Sequence, residues 1–128
     1  LAWAWRIQQF IEHFGLKTKF YDKATFSEIK AAIDAKKLVI LSTKLTASGH
    51  IILVKGYDTN GYSLYANDPW GNANEPQYGK VYNGANVKYT WEKMQPKWMI
   101  VVSNEKGLEN ETTVTSFTAH VGRNTDNL

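Results

Sequence analysis

Apolar residues at Trp3, Ile7, Phe10, Ile11 and Phe14 recur at helical spacing, and Gly15 follows as a natural stop, predicting a helix over residues 2–14. The alternating stretch 16–21 (LKTKFY) predicts a short strand. Thr25 followed by Glu28 is a capping-box signature, and Phe26, Ile29 and Ile33 then line one face of a second helix ending near Lys36. LVILST (38–43) is apolar enough for a buried strand, and a polar loop follows it. HIILVKGY and YSLYAN flank DTNG and are expected to pair as an antiparallel hairpin. Residues 69–86 are rich in Gly, Asn and Pro and read as a long loop. VKYTW predicts a strand, EKMQP a helical turn, and KWMIVV (97–102) a buried strand. A last strand is expected in TTVTSFTAHVG (112–122), beyond a charged loop. Helices interspersed with hairpin-connected strands point to an α+β fold, with helices packed on an antiparallel sheet. The domain is expected over residues 1–104, with a linker, final strand and frayed tail over 105–128.

The hairpin carries the candidate chemistry. His50 opens its first strand and Asp68 closes its second, so antiparallel pairing brings imidazole and carboxylate to the same end. A carboxylate that accepts the Nδ1 proton would orient the ring and leave Nε2 as a base. Register decides whether they meet. A strict two-residue turn at Asn60-Gly61 pairs residues whose numbers sum to about 121 and sends the two side chains to opposite faces. A three-residue loop, Thr59 to Gly61 with Gly61 left-handed, makes the sum about 120 and puts both on one face, with Ile52 opposite Asp68 and His50 diagonal to it, so the pairing requires an odd loop or a bulge. Gly49, just before the histidine, permits close backbone approach by a substrate. The plainer alternative is a histidine capping a sheet edge beside an Asp-Pro turn.

Composition narrows the chemistry further. The chain has no cysteine, so disulfides, thiolate metal sites and a thiol nucleophile within these residues are all excluded. Its three histidines lack zinc-site spacing, and no metal or cofactor is implied. His13 and His120 have no carboxylate at useful spacing, and Ser48 is too near His50 along one strand to serve it as nucleophile. The net charge of +3 is spread among acids, which reads as a solvated surface and not a nucleic-acid stripe. No apolar run approaches the ~20 residues of a membrane span. The opening LAWAWRIQQF is not a signal peptide, and it begins within a helical pattern without Met, so a processed or truncated chain is expected. The compartment stays open, with a secreted, cell-surface or virion-associated setting favoured.

ASGHIILVKGYD (47–58), then a hairpin, then YANDPWGN (65–72) resembles the C-terminal half of papain-like cysteine peptidases of the bacteriocin-processing, double-glycine type. FIEHFGLKTKFYDKATFSEIKAAIDAKKLVILS (10–42) is similar to that family's second helix, short strand, third helix and buried strand. NGANVKYTW and WMIVV resemble its closing strands, so the likeness spans about residues 1–102. The resemblance implies acyl transfer by thiolate attack on a peptide or protein substrate, with His50 as general base and Asp68 as its orienting partner. It implies that Trp70 shields the Asp–His hydrogen bond, the alternative being an ordinary turn aromatic. The family's nucleophilic Cys and oxyanion-hole Gln would then lie ahead of Leu1, on an N-terminal segment or second subunit. Aromatic surface on the first helix is accordingly expected to be only partly covered by this chain. The alternative function is an inactive, peptidase-like structural or binding module in a larger assembly.

Overall fold

Strands with no polar face need cover on both sides, and the architecture supplies it. The computed structural model describes residues 2–104. Its elements run α1 (Ala2–His13), β1 (Lys17–Tyr21), α2 (Phe26–Asp34), β2 (Leu38–Thr43), β3 (His50–Asp58), β4 (Ser63–Asn67), β5 (Val87–Thr90), α3 (Trp91–Met94) and β6 (Met99–Ser103). The strands form one six-stranded sheet in the order β1-β6-β2-β3-β4-β5, with every neighbouring pair antiparallel. The fold is therefore α+β. The expected strand at 112–122, His120 and the proposed tail lie outside the described residues.

Side-chain alternation divides the core into two layers. Leu38, Ile40, Ile51, Leu53, Ile100 and Val102 face α1, which buries Ala4 and Ile11 against them. The intervening residues Val39, Leu41, Ile52, Val54, Met99 and Val101 face α2, with Ile29 and Ala32. Every residue of β2 is buried because both of its faces are covered. The core-facing stripe of α1 is Ala4-Ile7-Ile11. Trp3 and Phe14 lie at its margins and remain 46% and 53% exposed, so the aromatic stripe is only partly core.

Helix α2 begins as its capping signature predicts, with one difference. The Thr25 hydroxyl oxygen accepts from the Glu28 amide at 3.2 Å, but the Glu28 carboxylate accepts from that same hydroxyl at 2.8 Å, not from the Thr25 amide. The helix ends at Asp34, earlier than expected. Lys36 adopts φ 63, its N–H bonds to Ile33 O and that of Lys37 to Ala32 O, which closes the C-terminus in a Schellman turn.

Candidate active site

The hairpin contains the irregularity that the His50–Asp68 pairing requires. Near the turn, Asp58 pairs with Ser63, Tyr57 with Leu64 and Gly56 with Tyr65. Beyond Lys55 the register changes, and Val54 pairs with Ala66 and Leu53 with Asn67. The pair sum drops by one at this bulge, so the turn is not the source of the shift. Tyr57 and Val54 consequently both pack in the α2-side core, although strict alternation would separate them. Continuing the shifted register places His50 and Asp68 on that same face.

There the two side chains meet. His50 Nε2 lies 2.7 Å from Asp68 Oδ1, and both residues are buried, at 5% and 4% exposure. The orientation of the ring corrects the sequence expectation, since Nε2 and not Nδ1 faces the carboxylate. The reason is distance. Diagonal partners across antiparallel strands are about 7–8 Å apart at Cα, so the distal ring nitrogen is the one that reaches. Nδ1 is thereby the nitrogen not engaged with Asp68.

Local structure holds each partner. The Thr43 hydroxyl donates to His50 O at 2.8 Å, and the Thr46 hydroxyl donates to Gly49 O at 2.8 Å. Gly49 sits at φ +95, a left-handed conformation that side chains rarely adopt, so the loop from β2 to β3 needs a glycine here for its backbone. Asp68 N donates to Gly84 O at 2.8 Å, which ties the end of β4 to the far side of the long loop.

The Asp68 carboxylate has partners on both oxygens. Besides His50, Oδ1 accepts from the Trp70 amide at 2.9 Å. Oδ2 accepts from the hydroxyls of Tyr89 at 2.7 Å and Tyr78 at 3.0 Å. A buried carboxylate is costly unless its lone pairs are met by donors, and here they are. Burial, followed by the charge of Asp68, pushes the Tyr78 phenol well above its ordinary value. Burial likewise raises Tyr89, against a lowering by the Ala73 amide. Both remain neutral donors throughout the physiological range. Neither tyrosine was among the residues expected from sequence. Tyr89 carries a usable signal, being an inward position of the strand that pairs with β4, whereas Tyr78 lies in a loop with no periodicity.

Trp70 and Tyr78 close the site from the loop side. The Trp70 ring lies 5.3 Å from the His50 ring between centroids, and Tyr78 meets His50 edge-on at 6.0 Å. His50 also borders a cleft of about 230 Å³, lined further by Trp3, Ser48, Gly49, Lys97 and Trp98. His13 is remote from this cluster and contacts Phe14. Among the described residues, no group of three or more His, Cys, Asp or Glu side chains is placed to hold a metal ion. No described helix is long and apolar enough to cross a membrane.

A model of the Peptidase_C39 like family matches residues 1–99. The chain belongs to that family. It is thus a cysteine-peptidase-like domain of the Peptidase_C39 like family, and the matched span includes α1, every strand up to the start of β6, and the His50–Asp68 pair. No curated protein matches the chain significantly.

Gly84 is a further residue this Peptidase_C39 like domain requires. A Cβ placed there would collide with the Asp68 carbonyl oxygen and lie 2.6 Å from that of Gly71. Both obstacles are backbone and cannot swing aside. Gly84→Ala is expected to cost about 1–3 kcal/mol through overpacking and to displace Asp68. Urea unfolding measures the first effect, and loss of solvent protection at the His50 imidazole measures the second. An unchanged midpoint with unchanged protection would show that the loop yields freely.

Proposed function

We propose that this domain carries the base and orienting residues of a papain-like cysteine peptidase, whose nucleophilic thiol is contributed by residues outside these 128. The observation that carries this reading is the buried 2.7 Å bond between His50 and Asp68 at the edge of an open cleft, in a chain of this family. In this reading His50 Nδ1 takes the proton of the thiol, and the thiolate attacks the substrate's peptide carbonyl. His50 then returns that proton to the departing amine, leaving a thioester. Water, deprotonated by His50, hydrolyses the thioester and restores the thiol. Asp68 stabilises the imidazolium formed in each half-reaction and keeps the ring aimed into the cleft. Gly49 borders the path of the substrate chain, and Trp70 keeps water from the Asp68–His50 bond.

A second reading, a catalytically inactive binding module in a larger assembly, is favoured by the absence of any cysteine from the sequence. The exposed Trp3 and Trp5 on α1 suit either a thiol-bearing segment or another subunit as partner. The experiment that separates the readings starts with the residues encoded ahead of Leu1, examined for a Gln and a Cys-Gly-Pro at a helix start. A polypeptide that includes them is expected to hydrolyse peptides in a reaction blocked by iodoacetamide, while the 128-residue chain alone hydrolyses none. Absence of such a cysteine would establish the inactive module. Turnover by the chain alone, resistant to iodoacetamide and abolished by His50→Ala, would defeat the thiol mechanism.

A further inference from the structure

Three neighbouring strands deliver one continuous line of polar groups to a single face of the sheet. His50 begins β3, Asp68 follows the end of β4, and Tyr89 stands on β5 among the core residues of that face. Tyr78 reaches the same carboxylate from the long loop. We propose that Tyr89 and Tyr78 are positioning residues that fix the tautomer of His50, with the proton on Nε2 and the free lone pair on Nδ1.

The argument is one of hydrogen-bond accounting. The Tyr89 oxygen accepts from the Ala73 amide at 2.9 Å, so its hydroxyl proton must point elsewhere. Asp68 Oδ2 at 2.7 Å and Gly71 O at 3.3 Å compete for that proton, and the nearer, charged acceptor takes it. The Tyr78 hydroxyl supplies a second proton to Oδ2, and the Trp70 amide, which can only donate, supplies one to Oδ1. These three donors lock the plane of the Asp68 carboxylate. The remaining lone pair of Oδ1 points at His50 Nε2, and an anion there demands a donor. A neutral imidazole has one N–H, so committing it to Nε2 leaves Nδ1 basic. Tyr78 adds a steric restraint, because its ring meets the His50 ring edge-on and stands beside Trp70. A ring flip at His50 would have to displace both aromatics.

The proposal rests on the reading above only in taking His50 for a base, and its test needs no thiol. In ¹⁵N-labelled chain near neutral pH, His50 is expected to show a protonated Nε2 and a bare Nδ1, with the Nε2 proton exchanging slowly with water. Tyr89→Phe and Tyr78→Phe, made separately, are each expected to speed that exchange by about tenfold or more, the equivalent of one charge-assisted hydrogen bond. The second tautomer should become visible in both. Tyr57→Phe deletes a comparably short bond, 2.6 Å to Asp34, but touches neither His50 nor Asp68, and should leave the imidazole signals unmoved. Amide exchange along β3 and β4 reports whether each variant keeps its fold. Should the buried Tyr89→Phe fail to fold, the half-buried Tyr78→Phe carries the test. A native His50 protonated on Nδ1 would overturn the proposal. So would a tautomer and exchange rate left unchanged in folded Tyr78→Phe. Loss of peptidase activity elsewhere would bear on the thiol mechanism and not on this assignment.

Discussion

Asp68→Ala should destabilise the domain by several kcal/mol, at about 1–3 kcal/mol for each buried donor left without its acceptor. The substitution removes a fully buried carboxylate, yet the greater loss lies in what it leaves behind. The hydroxyls of Tyr89 and Tyr78, the Trp70 amide and the His50 Nε2 nitrogen all aim at this one group. Each would be left without its acceptor in a site that water enters poorly, and unmet buried donors are penalised in full. Asp68→Asn keeps the shape and one acceptor oxygen, and its amide group can donate to a phenol that turns round. Its loss should therefore be clearly smaller than that of alanine. Urea unfolding of the two variants beside the native chain measures both. Equal losses would mean that shape alone matters at position 68. A loss under about 1 kcal/mol in the alanine variant would mean that the network contributes little to stability.

His50→Gln should do the reverse, sparing the fold and removing the chemistry. A glutamine amide can still donate to Asp68 Oδ1, but it offers no basic nitrogen. In a polypeptide that carries this domain together with its thiol, kcat should fall by about 10²–10⁴-fold, the range for loss of a positioned general base. KM should change far less, since the side chain does not hold the remote parts of the substrate. The unfolding midpoint should move little, because the buried carboxylate keeps a donor at Oδ1. Steady-state kinetics at several pH values would check this. Near-native kcat in the glutamine variant would exclude His50 as the base, whatever the geometry of the pair.

The two variants divide stability from catalysis at a bond between two side chains, and that division was only half legible in the sequence. His50 and Asp68 stand out because each marks the end of a recognisable strand, and the hairpin between them is announced by Asn60-Gly61. The requirement for an odd register also follows from the residue numbers alone. That the irregularity falls at Lys55, inside β3, and not in the turn depends on how Tyr57 and Val54 both find places in the α2-side core. Such a choice is set by packing across the sheet, which a single strand's pattern does not contain. The ring nitrogen that meets Asp68 is illegible for a similar reason, since it follows from the diagonal separation of two strands and from no property of either residue.

Local signals alone determined most of the scaffold. Thr25 and Glu28 mark the start of α2, Gly15 the end of α1, and the apolar runs of β2 and β6 require helices on both faces of the sheet. These features are short-range, each encoded by residues within one or two turns or strand repeats of one another. The surroundings of Asp68 are different in kind. Its partners come from positions 50, 70, 78 and 89, on two strands and a loop without periodicity, and Gly84 makes room for its backbone. Only the tertiary structure brings them together, because a buried anion selects its partners by distance and direction in space, and the chain records neither.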